Sequence, residues 1–170
     1  MVDDKKLNIS LDEVFNDTKT LISIVKQELF TNKVSKDKIT LIIPCRGWEI
    51  IGSLLKNALW LDESQILRLK FSNSMYSWWD WTVTIPNEKE NVKFNDYAIY
   101  TSKKRLTIFI DDLIDSGLTI DYVKKQIKGP LITSVLYSKE WKNREKVDFC
   151  VKELENKWVI FPWEEFYIKD

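Results

Sequence analysis

The sequence predicts an α/β domain built on a mostly parallel β-sheet flanked by helices. Short apolar runs rich in β-branched residues alternate along the chain with segments of helical periodicity, the pattern typical of βα units. The length of 170 residues suits one compact core. No internal repeat, linker or low-complexity tract divides the chain, so we expect a single domain over residues 1–170.

The first half of the chain contains a predicted helix, strand and helix. Ser10 followed by Glu13 is a capping-box pattern, and apolar residues then recur at helical spacing as far as Leu29. The run 39–43 predicts a buried strand that ends at Pro44. Helical spacing resumes at Glu49, which predicts a helix packed on that strand.

The second half contains the clearest strand, over residues 106–110, and a helix after Thr119 that stops at Gly129. Other strands are predicted at 66–71, 131–137, 149–151 and 158–161. Residues 72–104 are aromatic and polar, with weak strand signals at 82–85 and 97–101. A long stretch of this kind in a compact domain is often a mobile functional segment, so we expect a flexible loop within about 72–104.

Composition excludes several kinds of chemistry. The chain has no His, which rules out a Ser-His-Asp triad and any His-ligated metal. Lys plus Arg and Asp plus Glu both number 26, so the formal net charge is zero and a nucleic-acid partner is not expected. The two cysteines show no CxxC spacing, the N-terminus is charged and no apolar run of 18 residues occurs. We expect a cytoplasmic protein with no membrane partner.

The segment from Ile108 to Thr119 carries the sharpest functional signal. An apolar strand runs into Asp111 and Asp112, and an Asp115-Ser116-Gly117-Leu118-Thr119 turn then opens a helix. Ligands of open α/β sheets bind at the carboxyl ends of strands, and a helix N-terminus offers free N–H groups to a phosphate. The acid pair would repel a phosphate, so we expect it to face sugar hydroxyls or a divalent cation. Alternatively, Asp115 or Ser116 merely caps the helix and the acids lie in a solvated turn.

This segment resembles the fingerprint of the type I phosphoribosyltransferases. The resemblance implies that fold, with a small hood at about 139–170 and a flexible loop. It also implies that residues 115–119 bind the 5-phosphate of phosphoribosyl diphosphate, that Asp111 and Asp112 contact the ribose hydroxyls and the magnesium shell, and that Asp115 lies near N7 of the incoming base. Leu118 occupies a position that is often Gly, Lys or Arg in the family, so an additional donor is absent there.

Two other stretches are similar to the xanthine-guanine branch of that family. Residues 44–55 resemble its diphosphate loop, which implies that Cys45, Arg46 and Gly47 contact the diphosphate, although Trp48 replaces the second glycine of the pattern. Residues 157–164 resemble the C-terminal motif of the same enzymes. That match implies that Trp158 stacks on the purine and that the backbone of Val159 reads its edge.

A lysine completes the predicted purine site. Lys139 follows the strand 131–137 as the family's lysine follows its own, where it contacts the 6-oxo group. Without the family, Trp158 is equally suited to a core or an interface, and a lone lysine is usually solvated.

The resemblance implies a purine phosphoribosyltransferase that transfers phosphoribosyl from phosphoribosyl diphosphate to N9 of guanine, xanthine or hypoxanthine. It further implies Mg²⁺ held by Asp112 with the ligand's diphosphate and ribose hydroxyls, and a homodimer or homotetramer. Two other functions stay open. One is a non-catalytic, nucleotide-sensing regulator of the same fold, and the other is an enzyme for another acceptor, such as orotate, adenine or uracil.

Overall fold

The computed structural model describes residues 5–44, 49–70, 82–84, 91–93, 105–127 and 129–166. Its α-helices are α1 (Leu11–Thr31), α2 (Glu49–Leu59), α3 (Leu118–Gln126) and α4 (Trp141–Arg144). Its strands are β1 (Lys6–Asn8), β2 (Ile39–Pro44), β3 (Ile66–Lys70), β4 (Thr82–Thr84), β5 (Asn91–Lys93), β6 (Leu106–Ile114), β7 (Leu131–Ser138), β8 (Phe149–Glu153) and β9 (Trp158–Ile160).

The main sheet has the strand order β5-β4-β3-β2-β6-β7-β8. The five strands β3, β2, β6, β7 and β8 run parallel, and β4 and β5 extend the β3 edge as antiparallel strands. The α/β class with a mostly parallel sheet is therefore confirmed. β6 is the middle one of the five parallel strands, so the turn that follows it is at the centre of their carboxyl edge.

Helices cover both faces of the main sheet. α1 and α2 pack on one face, through residues such as Leu21 and Leu55. α3 packs on the other face through Ile120 and Val123. Burial of each such aliphatic side chain stabilises the fold by about 1.5–3 kcal/mol, and this two-sided burial explains why the central strands read as continuous apolar runs.

A second, two-stranded sheet pairs the ends of the chain. β1 runs parallel to β9, with Lys6 opposite Trp158 and Leu7 opposite Val159. β9 was predicted, whereas β1 was not, because Lys6–Asn8 is short and polar. β1 forms because β9 offers it a partner, and the pairing fixes the backbone from Trp158 to Ile160.

The start of α1 and the end of β6 provide two local tests of the predictions. The capping box is confirmed, since Glu13 N donates to Ser10 Oγ at 3.2 Å and Ser10 N donates to Glu13 Oε2 at 2.9 Å. β6, in contrast, does not end at Ile110 but continues to Ile114, because its pairing with β7 runs on to Ser138. Asp111 and Asp112 consequently lie within a central strand.

Several predicted features fall outside the described residues. These are the diphosphate-loop residues Cys45, Arg46, Gly47 and Trp48, the strand signal at 97–101, and most of the 72–104 loop. Within that loop β4 matches the weak signal at 82–85, and β5 was not predicted. The single-domain organisation and the hood at 139–170 remain predictions. None of the described helices is long and apolar enough to cross a bilayer.

Candidate active site

The turn between β6 and α3, residues 115–117, lies at the carboxyl edge of the main sheet. Gly117 is the N-cap of α3 and adopts a left-handed conformation with φ of 79°. An added Cβ there would lie 2.6 Å from Cδ of Lys146, so both backbone conformation and space favour glycine. The alternative in which Asp115 or Ser116 is the capping residue is wrong.

This turn has free donors and an adjoining pocket. The first N–H groups of an α-helix have no intrahelical partner, and the contact of the Leu118 N–H with Ser116 Oγ is long, at 3.4 Å. A pocket of about 100 Å³ is lined by Asp111, by residues 113–117, and by Thr119 and Ile120. Backbone donors, the Ser116 and Thr119 hydroxyls and the positive end of the helix dipole make this a suitable place for an anion.

The acid pair is buried at the end of β6. Asp111 is 4% exposed and Asp112 is 2% exposed, so the alternative of a solvated turn is wrong. Successive side chains of a strand point to opposite faces. Asp111 follows Phe109 toward the α3 face and lines the pocket, whereas Asp112 follows Ile110 toward the α1 and α2 face.

Burial makes both carboxyl groups easier to protonate. It raises the pKa of Asp111 to about 7, although the Asp112 N–H, which donates to Asp111 Oδ1 at 2.9 Å, opposes that rise. Burial also raises the pKa of Asp112 well above its ordinary value, and the negative charges of Asp111 and Glu164 raise it further. The acid pair is thus poised to change protonation when a ligand alters its surroundings.

Asp112 has the features expected of a cation ligand. Its Oδ2 is buried and has no hydrogen-bond partner within the part of the chain that the structure describes. No group of three His, Cys, Asp or Glu side chains among those same residues forms a ready-made metal site. Mg²⁺ is usually held by one or two carboxylates together with substrate oxygens, so this unpaired oxygen, close to Glu164, fits that ion.

The residues predicted to bind the purine lie close together beside the turn. Lys139 Nζ lies 2.9 Å from Asp115 Oδ2 and 5.7 Å from the ring centroid of Trp158. Lys139 is 8% exposed in its side chain, whereas that of Asp115 is 64% exposed. Trp158 is also 64% exposed, which leaves a large aromatic surface open, and Val159 is buried beside it. Two of these residues follow β6 and β7, and two belong to β9.

The sequence pattern did not identify two residues that lie near this site. The buried Asn143 of α4 donates its side-chain N–H to the Asp115 carbonyl. Lys146 Nζ donates to the Ser116 carbonyl at 3.4 Å and to Asp121 Oδ2 at 2.7 Å. Both lie in a charged stretch with no motif, so the sequence contains no signal that distinguishes them from surface residues.

Solved structures share this architecture. The chain is similar to a purine phosphoribosyltransferase from Pyrococcus horikoshii, with a TM-score of 0.64 and 22% identity over 98% of this chain and 99% of that one. The chain has the phosphoribosyltransferase fold. It is also similar to a xanthine-guanine-hypoxanthine phosphoribosyltransferase from Helicobacter pylori, with a TM-score of 0.61 and 17% identity over 94% of each chain.

A third similar structure is that of a hypothetical protein from Neisseria gonorrhoeae with bound ppGpp. Its TM-score is 0.61 at 18% identity, over 96% of this chain and 92% of that one. No protein-family model and no curated protein matches the sequence. The phosphoribosyltransferase fold predicted from the Ile108–Thr119 segment is confirmed.

Proposed function

We propose that the protein is a magnesium-dependent 6-oxopurine phosphoribosyltransferase. N9 of guanine, xanthine or hypoxanthine would form a bond to C1 of phosphoribosyl diphosphate while the C1–O bond to the diphosphate breaks, giving the nucleoside monophosphate. The observation that carries the proposal is the 2.9 Å contact between Lys139 Nζ and Asp115 Oδ2, next to both an open tryptophan face and an anion-binding turn.

The turn would bind the 5-phosphate. Backbone N–H groups at the start of α3 and the hydroxyls of Ser116 and Thr119 supply donors around the pocket. Leu118, which is half exposed, adds no polar contact. Asp111 lines the same pocket and would accept hydrogen bonds from the ribose hydroxyls.

The purine would lie against Trp158. Stacking on an aromatic side chain contributes about 1–3 kcal/mol per base, and the exposed Trp158 ring has room for it. Lys139 carries only donors, so it favours an oxo group over the amino group of adenine at position 6. The backbone of Val159, paired with β1, would read the purine edge.

The transfer step demands electrostatic stabilisation. Negative charge grows on the departing diphosphate while C1 becomes oxocarbenium-like, so positioned cations and amides should lower the barrier most. Arg46 is expected to hold the diphosphate. Asp112 would hold Mg²⁺, which supplies charge neutralisation for the leaving group when bound. Asp115 would accept the proton that the base gives up and return it to solvent, with Lys139 orienting its carboxylate.

A steady-state assay with a panel of bases tests the proposal. With phosphoribosyl diphosphate and Mg²⁺ present, we expect turnover of at least one of guanine, hypoxanthine and xanthine, and much slower turnover of adenine. An absence of turnover with all four bases would refute the enzymatic function. Faster turnover of adenine, orotate or uracil would replace the proposed acceptor.

A second candidate function is a nucleotide-binding regulator without catalysis. The ppGpp bound in the similar Neisseria gonorrhoeae structure favours it, because that guanine nucleotide is not a substrate of phosphoribosyl transfer. Calorimetry separates the two candidates. Tight binding of phosphoribosyl diphosphate or ppGpp without product formation from any base would favour the regulator.

A further inference from the structure

The turn between β6 and α3 is held from behind by one short segment. Asn143, on α4, and Lys146, just after it, donate to the carbonyls of Asp115 and Ser116, which are successive residues of the turn. These two residues are close to each other in the chain but about 30 positions away from the turn. The segment therefore contacts the turn through tertiary packing.

The geometry of the peptide bond determines the direction in which the N–H groups of the turn point. In a planar trans peptide the C=O of one residue and the N–H of the next point in opposite directions. Because the carbonyls of Asp115 and Ser116 point at Asn143 and Lys146, the N–H groups of Ser116 and Gly117 point away from them. Ser116 and Gly117 line the pocket, whereas Asn143 and Lys146 are not among its described lining residues.

Lys146 also fills the space beside Gly117. Its Cδ and Nζ would lie 2.6 and 2.8 Å from a Cβ built on that glycine. Its ammonium group is anchored by Asp121 Oδ2 at 2.7 Å, in the first turn of α3. Lys146 thus connects the left-handed glycine, the Ser116 carbonyl and the helix, and restricts rotation of the peptide between Ser116 and Gly117.

We propose that Asn143 and Lys146 are positioning residues that preorganise the turn for a phosphate group. They hold the carbonyls away from the anion and so direct the N–H groups toward it, which avoids carbonyl repulsion and reorganisation on binding. Asn143 also fixes the backbone of Asp115, whose side chain pairs with Lys139. The inference rests on the proposed function, since it assumes a phosphate-bearing ligand in this pocket.

The experiment compares the affinities of GMP and guanosine, which differ by the phosphate, for wild type and variants. Asn143→Ala removes one donor. Lys146→Met removes the other while keeping the packing on Gly117, and Lys146→Arg retains a donor. Arg144→Met is the matched control, because Arg144 Nη1 donates to the Val147 carbonyl at 3.1 Å and not to the turn.

We expect Asn143→Ala to weaken GMP binding about 10-fold and Lys146→Met about 3- to 5-fold, with guanosine affinity changed less than about 2-fold. Lys146→Arg should recover most of the GMP affinity, and Arg144→Met should change the affinity for neither GMP nor guanosine. An unchanged GMP-to-guanosine ratio in both Asn143→Ala and Lys146→Met, even with a lowered Tm, would overturn the inference. If Asn143→Ala does not fold, the two Lys146 variants decide the question.

A pocket that binds no phosphate group, which would also remove this basis of the proposed function, gives a different result. Wild type would then bind GMP no more tightly than guanosine, so there would be no phosphate preference for the variants to change. Wild type that prefers GMP, together with variants that keep this preference, would leave the phosphate site in place and refute the positioning role alone.

Discussion

Lys139 and Asp115, separated by 24 residues in the chain, form a 2.9 Å ion pair. The pair spans the carboxyl ends of two neighbouring parallel strands, β6 and β7. Asp115 is mostly exposed, so the pair contributes little to stability, about 0–1 kcal/mol for a solvent-exposed ion pair. The role of the ion pair is to position the two groups, because it places a cation and a carboxylate side by side beneath Trp158.

Replacement of Lys139 by Met tests base selection. The substitution keeps the length of the side chain and removes its donors. We expect kcat/KM for guanine or hypoxanthine to fall about 10- to 100-fold, because a hydrogen bond to a charged donor contributes about 1.5–3 kcal/mol. Turnover of adenine should be unchanged, so the ratio of the 6-oxopurine rate to the adenine rate should fall.

The control for this variant is Lys19→Met, on the exposed surface of α1. Lys19→Met should leave the rates with 6-oxopurines and with adenine at their wild-type values. An unchanged ratio of guanine to adenine rates in Lys139→Met would contradict the role of Lys139 and favour a different acceptor.

Replacement of Trp158 by Ala tests purine stacking. The loss of about 1–3 kcal/mol of stacking predicts purine binding that is weaker by about 5- to 100-fold, whereas Trp158→Phe should retain much of the affinity. Trp60 provides a matched control, because it is 79% exposed at the end of α2. Equal purine affinities in Trp158→Ala and Trp60→Ala, measured by calorimetry, would rule out the stacking role.

Gly117→Ala tests the conformation of the turn. A side chain at φ of 79° costs about 1–2 kcal/mol, and the added Cβ also meets Lys146. We expect the free energy of unfolding to fall by about that amount and GMP binding to weaken. Adding Lys146→Ala should relieve the steric part and leave the conformational cost. Urea unfolding that matches wild type in Gly117→Ala would show that the turn does not need glycine.

The buried acid pair predicts a pH-dependent stability of the ligand-free protein. Because the pKa of Asp111 is raised to about 7, the native state binds this proton more tightly than the unfolded state does. The free energy of unfolding therefore falls as the pH rises from about 4 to about 7. Asp111→Asn removes this titration, so we expect it to be more stable than wild type by about 4 kcal/mol above pH 7.

The two proteins should converge below about pH 3, where Asp111 is protonated in both the folded and the unfolded wild type because the ordinary pKa of this carboxyl is 3.8. Asp112→Asn should behave in the same direction, since its pKa is also raised by burial. Urea unfolding across this pH range is the measurement. A difference between wild type and Asp111→Asn that stays constant with pH would contradict the assignment.

The order of elements and the motif residues were predictable because they depend on local pattern. The β-branched run at 39–43 and the capping box at Ser10 produced the expected elements. The Asp-Ser-Gly-Leu-Thr string located the turn, since a helix start after a central strand restricts which residues fit there.

Features created by distant pairing were not predictable. β1 is a strand because β9 lies beside it, about 150 residues further along. Asp17 is buried on α1 because the Tyr137 hydroxyl donates to its Oδ2 at 2.8 Å, and Lys152 lies equally close. Asn143 and Lys146 gain their significance from contacts with the turn, which no spacing pattern in the sequence reveals.

The burial of Asp111 and Asp112 was missed for a different reason. Two adjacent acids normally mark the end of a strand, because burying a charge is costly. Here β6 continues past them, and a raised pKa allows both groups to be buried in a neutral form. A functional site is where such a departure from the usual pattern is expected.

The most direct test of the central claim is the initial rate of nucleoside monophosphate formation, measured side by side for wild type and Asp115→Asn. Phosphoribosyl diphosphate, Mg²⁺ and hypoxanthine or guanine are the substrates. We expect wild type to form product and Asp115→Asn to lose about 100-fold or more in kcat, as for removal of a general acid or base, with an unchanged Tm because Asp115 is exposed. Equal rates in the two proteins, or no product from wild type with either base, would contradict the claim that this site transfers a phosphoribosyl group.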